Sequence, residues 1–386
     1  MVLSGPTFWN PTQIYFGRGC VSVLSELVDS KRCLIVTTQR GKKVYESHEV
    51  ISEALSRAEY RLWFDKVLPN PSISLLQNSL RELRESKIDI IIAIGGGSVI
   101  DSGKVLAFAL ESNAGIETIE DLIKKSGGSS GGTSIPVIAV PTTAGSGSEV
   151  TPFAAIWDKK TGRKASLDRA HTFPKYACVD PSLTDALPLD QTIFSGLDAI
   201  NQAFESIWNR NMSPMSQIFA EEAIKGGITA LTKLSTNPMD KLSRNEMMRA
   251  SLFSGLAISQ TRTALCHSIS YPLTAKFGVP HGLACAFTMP QVMRRSFSRF
   301  GGDDRFERLK TVIPRVNNSS DLSLFEFLQK LNRDLNVPER VRAYISSLDL
   351  LLENVPDMIT PGRADSALFE VNENVIEEIL LESWNI

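Results

Sequence analysis

Residues 88–94 read Ile-Asp-Ile-Ile-Ile-Ala-Ile and run directly into Gly95-Gly96-Gly97-Ser98-Val99-Ile100-Asp101. A β-rich apolar run of this kind, ending on glycines, is the pattern of a buried strand that feeds a tight turn and then a helix. Glycine lets the backbone approach a ligand closely, and a fresh helix offers unpaired N–H groups and a partial positive charge. A pyrophosphate, and so a dinucleotide, is the natural guest. A triphosphate-binding loop does not fit, because it needs a glycine where Ser98 stands, ahead of Gly103-Lys104, and Ser or Thr where Val105 stands. The standard Gly-x-Gly-x-x-Gly fingerprint is also missing after the first strand, Leu34 to Thr38. Taken alone, the glycine turn serves equally well as a purely structural turn.

Around this strand, residues 12 to about 180 alternate apolar β-rich runs with amphipathic helical patterns. Strands are expected at Lys31 to Thr38, Tyr60 to Phe64, from Ile88, and at Pro136 to Val140; helices are expected at Tyr45 to Ala58, Ser72 to Ser86 and from Gly97 to about Leu110. That rhythm belongs to a parallel α/β sheet. The Gly- and Ser-rich stretch Lys124 to Ser134 reads as a solvent loop near the nucleotide or as a plain linker. After Leu187 the β-rich runs stop, and helical patterns follow at Gln191 to Asn209, Pro214 to Leu234, Ser243 to Gln260, Ser323 to Leu335 and Pro338 to Leu352. At 386 residues the chain is too long for one ordinary core. Pro181 and Pro188 punctuate the change, so the expected domains are 1–185, α/β and dinucleotide-binding, and 186–386, all-helical and carrying the metal and substrate sites.

The formal charge of −2 gives no electrostatic footprint for nucleic acid or an acidic membrane, which leaves a small molecule as partner. The five cysteines are scattered, with no Cys-x-x-Cys pair, and read mostly as inert core thiols rather than as disulfides or zinc thiolates. With no leader pattern at the N-terminus and no apolar run of about eighteen residues, the cytoplasm is the expected location.

Two of only four histidines, His267 and His281, fall in one short segment of the helical half. Asp198, with Gln202 one helical turn later, would complete an oxygen–nitrogen site for Fe²⁺ or Zn²⁺. The same residues also read as a helix N-cap at Asp198 and ordinary hydrogen-bonded histidines. His48 and His171 are expected to be surface or packing residues.

Five motifs occur in order: Gly95-Gly96-Gly97-Ser98-Val99-Ile100-Asp101, Pro141-Thr142-Thr143-Ala144-Gly145-Ser146-Gly147-Ser148-Glu149, Val179-Asp180-Pro181-Ser182-Leu183-Thr184, Gly196-Leu197-Asp198-Ala199 and Pro280-His281-Gly282. With them the chain, over roughly residues 10 to 380, resembles the iron-containing (group III) alcohol dehydrogenases. The resemblance implies an α/β N-terminal Rossmann-like domain with a parallel sheet plus an all-α C-terminal domain, the dehydroquinate synthase-like or iron alcohol dehydrogenase fold. It implies NAD(P)H and a divalent metal, Fe²⁺ or Zn²⁺, as cofactors and a homodimer as the assembly. By the same resemblance Gly96, Gly97 and Ser98 hold the pyrophosphate, and Thr142, Thr143, Ser146, Ser148 and Lys164 lie nearer the ribose and nicotinamide. Thr38, Asp101 and Leu183 join the cofactor-binding set. Asp198, His267 and His281 fall on the metal, in the cleft between the domains.

Four positions depart from the family pattern. Gln202 stands where members with an iron site usually have His, and an amide oxygen is a poorer ligand than imidazole. Tyr271 replaces a frequent second His; with an ordinary pKa of about 10 it suits hydrogen bonding to substrate better than proton relay, and packing in the cleft wall is the alternative. Arg262 replaces a small residue just before His267, where a guanidinium fork would hold a phosphonate, phosphate or carboxylate, unless it pairs with a nearby Glu. Thr38 stands where members that prefer NAD have Asp, so a 2′-phosphate would not be repelled, and Arg40 is near to pair with it.

Residues 203–211 and 267–274, with Phe277-Gly278-Val279-Pro280-His281-Gly282, resemble the branch of the family that reduces phosphonoacetaldehyde to 2-hydroxyethylphosphonate. The expected partner is therefore a small anionic aldehyde, with Arg262, Tyr271 and His267 as the catalytic group. The alternatives are a dehydrogenase for small neutral alcohols, a cyclising synthase or polyol-phosphate dehydrogenase, and a non-catalytic relative whose metal site has decayed at Gln202.

Overall fold

The computed structural model describes residues 8–111, 119–124, 133–158, 163–317 and 323–385. Its contacts divide the chain into two compact units, Asn10–Ala186 and Leu187–Ile386, and Phe8 and Trp9 belong to the second. Trp9 exchanges hydrogen bonds with the Gln260 side chain, and Phe8 packs on Phe219 at 5.3 Å between ring centroids.

The first unit is built on β1 (Gln13–Phe16), β2 (Arg32–Val36), β3 (Tyr60–Phe64), β4 (Ile90–Gly95), β5 (Val137–Pro141) and β8 (Tyr176–Val179). These form a six-stranded sheet in the order β1-β8-β5-β4-β2-β3, parallel at every pairing. Two further strands, β6 (Phe153–Asp158) and β7 (Arg163–Asp168), pair antiparallel beside it, a feature the sequence analysis did not anticipate. All six residues of β4 are buried. Each of its isoleucines contributes about 1.5–3 kcal/mol by leaving water, so this strand can sit only in the interior of the sheet. The chain runs outward from β2 to β3 and then returns to β4 on the other side of β2. Open α/β sheets bind ligands at the carboxyl ends of the strands flanking such a reversal. Here those ends carry Thr37-Thr38 and Gly95-Gly96-Gly97.

The expected helix over Tyr45 to Ala58 is two helices, Gln39–Ser47 and Glu49–Ser56. His48 breaks it: its backbone is extended, and its ring Nδ1 accepts the Ile51 N–H as an N-cap. His171 is exposed on a short turn, Ala170–Thr172. Most of the expected loop between Lys124 and Ser134 lies outside the described residues.

Among the described residues the second unit holds helices and no strand. Its frame is Leu189–Ile207, Pro214–Thr236, Lys241–Thr261, Leu265–Phe277 and His281–Phe300. The expected helix over Pro338 to Leu352 is split into Val337–Arg342 and Leu348–Leu352, because Ser347 caps a new start by accepting the Leu350 N–H. No helix among the described residues is long and apolar enough to cross a membrane.

Candidate functional site

In the first unit, the loops after β4 and β5 meet. Thr142 N–H donates to Gly95 O at 3.0 Å, and the helix Gly97–Glu111 starts with Gly96 O accepting the Val99 and Ile100 N–H groups. The N–H groups ahead of Val99, on Gly97 and Ser98, have no intrahelical partner by the geometry of any helix start. A Cβ on Gly97 would lie 2.6 Å from Ser146 Oγ, and one on Gly96 would lie 3.2 Å from Thr143 Oγ1. Glycine is therefore what lets the two loops close into one concave cradle. That cradle, with a 15-residue helix aimed into it, suits a dinucleotide pyrophosphate.

The other expected nucleotide residues have local contacts of different kinds. Thr38 caps the Gln39–Ser47 helix, its Oγ1 accepting the Gly41 N–H at 2.9 Å. Leu183 is half-buried on the turn Pro181–Thr184 and packs against the core, and Lys164 lies on β7 opposite Trp157. Asp101 and Ser148 are engaged within the protein. Ser148 Oγ donates to Asp101 Oδ1, and Asp101 Oδ2 accepts the Ala155 N–H at 2.8 Å.

At the centre of that network is Lys104, fully buried, whose Nζ donates to Ser148 Oγ (2.9 Å), Thr151 O (2.9 Å) and Phe153 O (3.0 Å). Burial lowers its pKa to about 8 even with Asp101 and Glu149 close by. Glu149 is also buried, and burial raises its carboxyl to about 7. Sequence reasoning used Lys104 only to reject a triphosphate loop and missed its role in fixing the loop that follows β5.

In the second unit, Asp198 lies inside the Leu189–Ile207 helix, whose N-cap is Pro188, so it is not itself an N-cap. Its Oδ1 is 3.3 Å from His267 Nε2 and 4.0 Å from His281 Nε2. The two imidazoles meet edge to face at 5.1 Å between centroids. Cys285 joins them: one ligand atom from each of Asp198, His267, His281 and Cys285 lies within 4.8 Å of the others. Gly282 makes the approach possible. A Cβ there would run into the Phe194 carbonyl oxygen and lie 2.9 Å from Asp198 Cβ, so only glycine lets the start of the His281–Phe300 helix press against the Asp198 helix.

His267 is held by Glu205, a buried residue two turns after Asp198. Glu205 Oε2 is 2.7 Å from His267 Nδ1, and the same carboxylate accepts the N–H groups of Ala264 (2.8 Å), Cys266 (2.5 Å) and His267 (3.3 Å). It thus caps the Leu265–Phe277 helix, whose own Ala264 offers no side-chain cap. A carboxylate on Nδ1 keeps that nitrogen protonated and leaves Nε2 as the donor atom facing Asp198. Burial alone would lower the His267 pKa, but the acidic atoms of Cys285, Glu205 and Asp198 reverse the sign and raise it well above the ordinary value. A carboxylate, two imidazoles and a thiol whose ligand atoms gather within 4.8 Å of one another suit a divalent transition ion.

The remaining expected site residues make other contacts. Gln202 is buried, and its Oε1 accepts from Ser254 Oγ at 3.1 Å. Tyr271 is buried and stacks on the His281 ring, 6.1 Å between centroids and 16° between planes. Arg262 is exposed at the C-cap of Lys241–Thr261, with φ 64° and ψ 178°. That backbone region is nearly restricted to glycine and costs a residue with a side chain about 1–3 kcal/mol.

Sequence reasoning missed Glu205 and Cys285. Cys285 follows His281 by four residues in a helix, the same spacing that singled out Gln202 after Asp198, so a signal for it existed. Glu205 had none, since it acts on residues about sixty positions away.

Two family models match the chain, iron-containing alcohol dehydrogenase over residues 11–181 and the C-terminal region of the Fe-containing alcohol dehydrogenase family over 192–365. The chain belongs to the iron-containing alcohol dehydrogenase family. Members of this family are oxidoreductases that use NAD(P)H and a metal ion. The phosphonoacetaldehyde reductase of Streptomyces viridochromogenes is 36% identical over 228 residues, a stretch covering 58% of this chain and 57% of that relative. The probable alcohol dehydrogenase EutG of Escherichia coli is 32% identical over 70% of this chain and 67% of that relative. The crystal structure of an iron-containing alcohol dehydrogenase from Thermotoga maritima matches with a TM-score of 0.84 at 28% identity, covering 99% of this chain and 100% of the other.

Proposed function

We propose that this family member reduces a small anionic aldehyde, phosphonoacetaldehyde or a close analogue, to the primary alcohol at the expense of NAD(P)H. The observation that carries the substrate reading is the 36% identity to a phosphonoacetaldehyde reductase. In balance, the aldehyde, NAD(P)H and a proton give the alcohol and NAD(P)⁺, the hydride passing from the nicotinamide to the carbonyl carbon and the proton going to its oxygen.

In this reading Asp198, His267 and His281 hold the divalent ion, with Glu205 fixing the tautomer and orientation of His267. When bound, the ion supplies Lewis acidity toward a carbonyl oxygen, and the nicotinamide supplies the hydride. Gly96, Gly97 and Ser98 bind the pyrophosphate through backbone N–H groups. Thr142, Thr143, Ser146 and Lys164 orient the ribose and nicotinamide, while Asp101 and Ser148, tied to Lys104, hold that loop in shape. Arg262 binds the anionic end of the substrate through its guanidinium fork. Tyr271, packed on His281, hydrogen-bonds the substrate and excludes water.

The test is kcat/KM for phosphonoacetaldehyde against propanal, in the wild type and in Arg262→Ala. The reading expects a strong preference for the anionic aldehyde, and a rise in its KM of about tenfold or more in the variant, the loss of a charge-assisted pair. Equal rates with both aldehydes, or an unchanged KM in Arg262→Ala, would leave a dehydrogenase for small neutral alcohols. That second reading is favoured by the match to EutG, which covers more of the chain.

A further inference from the structure

The same cluster contains a donor that the expected ligand set lacks. Gln202 stands where a third imidazole is usual, and its carbonyl oxygen is engaged by Ser254 Oγ. Cys285 is fully buried, with Sγ 3.9 Å from His281 Nε2 and within 4.8 Å of the Asp198 and His267 ligand atoms. His281 and Cys285 are one helical turn apart on one helix, so the backbone itself points both at the same place.

We propose that Cys285 Sγ is the fourth protein ligand of the divalent ion, in place of the imidazole missing at Gln202, and that the resulting carboxylate, two-imidazole and thiolate set favours Zn²⁺ over Fe²⁺. Thiolate is a soft donor, and zinc lies above iron in affinity for nitrogen and sulfur ligands. Binding forms a metal–sulfur bond and releases the thiol proton to solvent. Four protein ligands fill the tetrahedral positions of zinc, so a substrate oxygen would reach the ion by expansion to five neighbours, as some catalytic zinc sites do. This inference rests on the reading that Asp198, His267 and His281 hold the ion, and the test separates the two.

The full chain is stripped of metal and loaded with zinc, and its zinc-edge X-ray absorption is recorded. The proposal expects one ion per chain with a sulfur neighbour at about 2.3 Å. The cobalt-loaded protein shows a thiolate-to-metal charge-transfer band that is lost in Cys285→Ser and kept in Cys178→Ser, and zinc affinity falls about tenfold or more in the first variant only. One zinc per chain with nitrogen and oxygen neighbours alone overturns the thiolate ligand while sparing the three-residue site. A chain that takes up no ion overturns both. Should Cys285→Ser fail to fold, the wild-type absorption spectrum alone decides.

Discussion

Glu205 Oε2 lies 2.7 Å from His267 Nδ1, and the same buried carboxylate closes the start of the helix that carries His267. One side chain thus sets both the tautomer of the imidazole and the position of its backbone. Glu205→Gln keeps the shape but loses the charge that the three N–H groups and the imidazole share. The expected outcome is a zinc affinity about 10 to 100-fold weaker, measured by competition with a chelator, with the helical content unchanged. Undiminished affinity would mean that His267 is oriented by packing alone.

Gly282 tests how close the helices must come. Its missing side chain faces the Phe194 carbonyl and Asp198, so Gly282→Ala pushes the His281 turn away from Asp198. Metal uptake should fall sharply, while NADPH binding, followed by the change in its fluorescence, should persist because the cradle residues belong to the other unit. Full metal occupancy in the variant would contradict the packing argument.

The buried pair Lys104 and Glu149 gives a pH dependence with a defined sign. Between the ordinary 4.5 and about 7 the folded chain keeps a proton on Glu149 that the unfolded chain has lost, so stability falls as pH rises through that window. Lys104 acts oppositely: between about 8 and its ordinary 10.5 the unfolded chain holds the extra proton, so stability rises with pH there. Glu149→Gln removes the first slope. Denaturant unfolding should find it on the order of 2 kcal/mol more stable than wild type near pH 8 and little changed near pH 5. A variant that is less stable at both would show that the ionised carboxylate is needed to hold Lys104.

Thr38 bears on the choice between NADH and NADPH. A carboxylate in its place caps the Gln39–Ser47 helix equally well but repels an adenosine 2′-phosphate. Thr38→Asp should raise KM for NADPH about tenfold or more and leave KM for NADH little changed. Equal effects on both would place the 2′-position elsewhere.

Much of this architecture was readable from local pattern. The Ile88 to Ile94 run reads as a buried strand and the glycines after it as a tight turn into a helix, because both depend on adjacent residues; whether that turn serves a ligand is not legible from it alone. The two histidines of the cluster stood out because histidine is scarce here. What escaped depends on contacts between distant residues. Glu205 looks like any other residue of a helical stretch until the fold brings it to His267, whereas Cys285, one turn after His281 on the same helix, had a signal that could have been read. The break at His48 turns on one ring nitrogen capping a helix, in a segment whose apolar periodicity runs straight through it. The pair β6 and β7 is different, since its link, Lys159-Lys160-Thr161-Gly162, is a short Gly-containing hairpin signal that was there to be read, and Lys104 stands one turn from Ile100 and Phe108, on the apolar face of its helix.

On the proposed reading, reduction depends on a divalent ion bound at the Asp198, His267 and His281 cluster. The most direct test follows NADPH absorbance with phosphonoacetaldehyde, using protein treated with a chelator and then given back Zn²⁺ or Fe²⁺. Turnover should vanish on stripping, return with the added ion, and stay absent in His267→Ala. Turnover that survives complete metal removal, or that His267→Ala retains, would contradict it.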